Sequence, residues 1–238
     1  MFDLSNFISP KQLLVMKQEM VEDTLAMAYP IVALRYCDGI MMLAENPSIS
    51  LQKTSEIYDR IAFAGTGVFN DYERLRKAGV QLADIRGFQY SRSDVSARSI
   101  ASEYSTVLGD IFVRQQVPME VEILVAEIGK TPKDNRMYSI PFSGGLIEEQ
   151  GMAVIGDYLN KEESILRGQI RQFISEQNPP ADLPLADAAK LAAAAIGAVR
   201  EGGAINIANI ELVVLDRTIE IERKFRRFSS EEIVTLMG

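Results

Sequence analysis

The sequence predicts a layered α+β fold: two sheets face to face, with pairs of helices outside them. Three observations carry this. Strand-like runs come in blocks joined by short turns. Helix-like runs come in pairs between those blocks. No Gly/Pro/Ser-rich linker divides the 238 residues, so the chain reads as one domain over 1–238. A doubly wound parallel sheet would instead interleave strands and helices one by one.

The elements follow in order. "PKQLLVMKQEMVEDTLAMA", residues 10–28, predicts a helix capped by Ser9, with Pro10 in its first turn. Leu13, Met16, Met20, Thr24 and Met27 recur at helical spacing along it. Two apolar runs, Ile31–Cys37 and Ile40–Ala44, flank Asp38-Gly39, a two-residue hairpin signal. "EIYDRIAFAGTG" reads as a second strand pair with its bend near Asp59-Arg60. A helix over 68–86 places Val68, Tyr72, Leu75, Gly79 and Leu82 on one side, with Gly87 as its stop. The next helix starts near Asp94, a candidate cap, and ends before Pro118. Three strands follow, "MEVEILVAEIG", "NRMYSIPFS" and "GMAVIG", joined by the turns "KTPKDN" and "GGLIEEQ". Helices near 160–176 and 184–201 flank the proline-marked loop "NPPADLP". The chain closes with strands "IANIELVVLD" and "IEIERKFRRF" and a short helix capped by Ser229.

Composition excludes several functions. The net charge of −8 disfavours a general nucleic-acid binder, which needs clustered cations. The one basic cluster, "ERKFRRF", reads as a charged edge strand. No apolar run reaches the roughly 18–20 residues of a membrane span. The first residues lack the basic and apolar regions of a secretory signal. The single cysteine, Cys37, allows no internal disulfide and fits a reducing cytoplasm. The absence of histidine removes Ser-His-Asp and Cys-His catalysis and every His-containing zinc site, and one cysteine cannot form a thiolate site. No cofactor or metal is implied.

The remaining motifs have plain readings. "GTGVFN" at 65–70 lacks a full dinucleotide or phosphate-loop pattern and predicts a tight strand-to-helix turn. Asp84, Asp94 and Asp110, and the Glu120/Glu122 pair, read as solvated charge. Lys53, taken alone, reads as a surface lysine.

"FISPKQ", "AENPSISLQKTSEIYDRIAFAGTGVFNDYERLRKAGVQLAD", "VLGDIF" and "VEILVAEIG" resemble the α subunits of bacterial proteasomes of the actinobacterial type, over Phe7 to about Phe228. The resemblance implies a four-layer αββα sandwich of the N-terminal-nucleophile class. It also implies homo-heptameric outer rings stacked on rings of catalytic β subunits. Unfolded proteins, in some actinobacteria tagged by a small ubiquitin-like protein, would pass through them. In the β type a mature N-terminal threonine starts the first strand and is both nucleophile and base. Tyr29 falls roughly at that position here, behind a helix, and Glu45 replaces the aspartate of the next strand. The resemblance therefore implies a non-catalytic subunit. The rival is a self-processing N-terminal-nucleophile hydrolase, with Thr24 or Ser9 as nucleophile.

The resemblance also assigns sites. Met1, Phe2, Asp3, Leu4, Ser5, Asn6, Phe7, Ile8, Ser9 and Pro10 would form the gate over the axial pore. Lys53 would receive the C-terminal carboxylate of a hexameric AAA ATPase or another ring activator, in a pocket between neighbouring subunits. Gly67, Val68 and Ala28 would complete that pocket, backbone N–H groups near the glycine turn adding donors.

Overall fold

The computed structural model describes residues 9–156, 165–180, 182–199 and 203–238. Met1–Ile8, the main part of the expected gate, lie outside the described residues. So do the first residues of the helix expected from 160.

The two expected sheets are present, five strands each. The first contains β1 (Ile31–Tyr36), β2 (Gly39–Glu45), β8 (Met152–Ile155), β9 (Ile210–Asp216) and β10 (Phe225–Arg227). Their order is β10-β9-β2-β1-β8. The second holds β3 (Thr54–Tyr58), β4 (Ile61–Gly67), β5 (Val121–Glu127), β6 (Arg136–Ile140) and β7 (Ile147–Glu149), in that order. All pairings are antiparallel.

Alternation explains the layers, because successive residues of a strand face opposite sides. Ala33, Met42 and Val213 of the first sheet meet Ala62, Ala64 and Leu124 of the second in one buried cluster. The opposite faces carry the helices. Helices α2 (Phe69–Gln89) and α3 (Ala97–Arg114) cover the second sheet through Tyr72, Leu75, Ile100 and Leu108. Helices α4 (Ile165–Glu176) and α5 (Leu185–Ala198) cover the first through Ile170, Ile174, Ala192 and Ile196. Helix α6 (Ser230–Met237) adds Ile233 to that layer. The result is the αββα sandwich, with helix α1 (Pro10–Leu25) standing ahead of the first strand.

Local signals succeed where chemistry is local. Ser9 caps α1 in a reciprocal box with Gln12, and Pro10 opens the helix. Ser229 caps α6 in the same way with Glu232. The β3–β4 bend falls at Asp59-Arg60, since Tyr58 pairs with Ile61.

Several expectations need correction. Tyr36 pairs with Gly39, so the β1–β2 turn is Cys37-Asp38, one residue early. Gly39 instead begins β2, and it is glycine because a Cβ there would lie 1.8 Å from the Leu215 carbonyl oxygen of β9. Gly87 does not end α2; it lets the Tyr58 ring approach, its absent Cβ falling 2.2 Å from the phenol oxygen. Ser96, not Asp94, caps α3 by accepting the Ser99 N–H, and Asp94 closes a short 3-10 turn. "GGLIEEQ" contains strand β7. The last strand shrinks to Phe225–Arg227. In α1 the apolar row is the exposed one: Leu13, Met16 and Met20 stay open, whereas Lys17, Val21 and Leu25 are buried.

Among the described residues no helix is long and apolar enough to cross a membrane.

Candidate functional site

The junction between α1 and β1 gathers the residues that the sequence singled out. The Tyr29 carbonyl is its hub. It accepts Lys53 Nζ at 3.0 Å and Thr66 Oγ1 at 3.2 Å. The same ammonium lies 5.2 Å from the centre of the Tyr29 ring, within cation–π range. Gly156, with φ +85°, brings its backbone against this carbonyl where a side chain would crowd it.

Gly67 ends β4 at φ +102°, the left-handed region that suits glycine. A Cβ there would also lie 2.1 Å from the Glu120 carbonyl oxygen and 2.9 Å from Leu25 of α1. The strand-to-helix turn predicted at 65–70 is therefore real, and it presses on α1. Val68 caps α2 without a side-chain bond. Its own N–H donates to the Glu120 carbonyl at 2.9 Å, so that donor is spent inside the chain. Ala28 packs against the small cluster of Val21, Leu25 and Phe142. Lys53, Gly67, Val68 and Ala28 thus surround one junction, with Lys53 the cation among them.

Lys53 is half-buried. Burial pulls its pKa down to about 8, against the upward pull of Glu211 and Glu45. An ammonium offers three N–H donors, of which Tyr29 takes one. The arrangement can bind one anionic group of modest size. Tyr29 stands where β1 begins, with α1 before it, so no free amine is present at that point. Ser9 caps α1, and Thr24 lies within it with Oγ1 donating to the Met20 carbonyl at 3.4 Å. Neither candidate of the rival reading starts a strand.

Two features escaped sequence reasoning. Glu122, expected to be solvated, is 1% exposed. Its carboxylate takes Arg167 Nη2 at 2.6 Å and the Gly156 N–H at 2.8 Å. Asp84, Asp94 and Asp110 are exposed, as expected. Glu211, at the start of β9, gathers donors from the Lys53 segment. Strand alternation marks both glutamates as facing one side but does not say whether that side is covered.

A layered αββα sandwich with helix α1 ahead of its first strand is the architecture of the N-terminal-nucleophile fold class. Its relatives narrow the class. The family model for "Proteasome subunit" matches residues 27–215, and the chain belongs to that family. A "Proteasome subunit alpha" of Streptomyces griseus is 39% identical over 97% of this chain and 83% of its own length. Its counterpart from an Arthrobacter species is 37% identical over 98% and 97% of the two chains. The one from Frankia alni is 38% identical over 98% and 95%. The chain is accordingly an alpha-type subunit, the non-catalytic kind.

Proposed function

We propose that this subunit forms a homo-heptameric outer ring, stacks on rings of catalytic β subunits, and controls the passage of unfolded proteins to them in the cytoplasm. Helix α1 is the observation that carries this reading. It occupies the position ahead of β1 and turns Leu13, Met16 and Met20 outward, and a contiguous open apolar row suits a neighbouring subunit. Met1–Ile8 precede this helix, so a ring that packs on α1 would point those tails together as a gate.

Lys53 supports the docking of a hexameric ATPase or another ring activator. A terminal carboxylate meeting an ammonium forms a charge-assisted hydrogen bond. Gly67, Val68 and Ala28 would shape the wall around it. Lys53→Ala, co-assembled with the cognate β subunit, tests this. Activator stimulation of protein breakdown is expected to be lost while electron micrographs still show four-ring particles. Undiminished stimulation would refute the docking role.

A further inference from the structure

We propose that Glu211 is the positioning residue of the docking lysine, with Arg227 as its brace. The inference rests on the docking reading above. Glu211 is the second residue of β9 in one sheet, while Lys53 immediately precedes β3, an edge strand of the other. The Glu211 carboxylate bridges them. One oxygen accepts the Lys53 N–H at 3.0 Å and Asn46 Nδ2 at 3.0 Å. The other accepts the Thr54 N–H at 2.9 Å, the Thr54 hydroxyl, and Arg227 Nη1.

Arg227 grips the same segment a second time, its Nη2 donating to the Thr54 carbonyl. On the remaining side the Lys53 carbonyl accepts the Gly65 N–H at 2.8 Å. An edge strand has no neighbour to fix its outer side, so side chains from the opposite sheet do it here. Consecutive backbone N–H groups converging on one buried carboxylate leave Lys53 little freedom in backbone position. Its ammonium then reaches the Tyr29 carbonyl from a fixed origin. Glu211 and Glu45 are the carboxylates facing that ammonium, from β9 and β2, and Tyr29 is the neighbour from the α1–β1 junction. The anion behind the lysine keeps it protonated and the bonds keep it aimed.

The test uses assembled particles carrying the natural chain, Lys53→Ala, Glu211→Gln or Arg227→Met. The probe is a synthetic seven-residue peptide copying the C-terminus of the cognate ring ATPase, with a free carboxylate or as its amide. Glu211→Gln is expected to weaken carboxylate-peptide binding about tenfold, with the pH midpoint of binding moved downward. Loss of a purely structural staple would lower affinity without moving that midpoint. Should Glu211→Gln fail to assemble, Arg227→Met decides, since it leaves the carboxylate on both backbone N–H groups. It also removes the cation that neutralises that carboxylate, so it is expected to weaken binding several-fold and move the midpoint upward. Binding equal to the natural chain in the variant that assembles, alongside loss in Lys53→Ala, would overturn the inference alone. Full binding by Lys53→Ala would instead overturn the docking reading beneath it.

Discussion

Removing the ammonium of Lys17 should loosen helix α1 without loosening the sandwich. Lys17 is only 5% exposed, and its Nζ donates to the carbonyls of Phe112, at 3.0 Å, and Gln115. Those carbonyls belong to the C-terminal turn of α3, where partial negative charge favours a cation. Few other side chains of α1 are buried: Val21 and Leu25, packed beside Phe142. Each contributes about 1.5–3 kcal/mol by burial. Charged hydrogen bonds contribute roughly 1.5–3 kcal/mol each, so the lysine rivals the apolar anchors. Lys17→Met keeps the buried stem and deletes the ammonium, so about 2–3 kcal/mol of docking free energy should go. At a factor of ten per ~1.4 kcal/mol, exchange of α1 amides through local opening should speed up roughly 30- to 150-fold. Hydrogen–deuterium exchange with peptide-resolved mass spectrometry on the purified chain reads this directly. Peptides from β2 and β9 should keep the natural rate. Unchanged exchange in α1, or equal acceleration everywhere, would refute the reasoning.

Two further outcomes follow from the same geometry. Gly39→Ala places a Cβ 1.8 Å from the Leu215 carbonyl oxygen, so β2 and β9 must separate locally; a cost of roughly 2–3 kcal/mol should lower the thermal midpoint by about 4–12 °C in calorimetry, and an unchanged midpoint would contradict the register. Binding of the carboxylate peptide should hold below neutrality and decline as pH rises through the Lys53 value of about 8, because only the ammonium attracts the anion. The stability sign is opposite. Lys53 is depressed from an ordinary 10.5, so between about 8 and 10.5 the unfolded chain binds the extra proton and this group's contribution favours folding as pH rises. Titration calorimetry at a series of pH values checks the binding half; affinity independent of pH to 9.5 would show that the charge is not used.

The fold was legible because it is written in local signals. Blocks of strands, paired helices and caps such as Ser9 and Ser229 each rest on neighbours within four residues. Glycines misled wherever their reason was tertiary. Gly39 and Gly87 look like punctuation in the sequence, but each makes room for an atom more than twenty residues away, in Leu215 and Tyr58. The apolar row of α1 misled for a related reason. Periodicity shows that a face is apolar, not what covers it, and in the single chain nothing described covers Leu13 or Met16. Around the candidate site, Lys53 and Gly67 came from family resemblance, whereas Glu122 was read as solvated charge though it is buried, and Glu211 did not emerge at all. Their importance lies in partners at separations of 45 and 158 residues, Arg167 and Lys53.

On the docking reading proposed above, the junction at Tyr29 serves binding instead of chemistry. A strand that begins with a free amine has a base at its tip. Here the chain arrives through α1, so the tip is a peptide carbonyl, and a carbonyl can only accept. Lys53 and Thr66 both donate to it, which turns the lysine into a fixed donor rather than a proton carrier. Glu45 and Glu211 hold its charge against burial. With the Val68 N–H committed to Glu120, the proposed docking rests on the ammonium. The selectivity that results is for charge: a free C-terminal carboxylate should bind where its amide, equal in shape, does not.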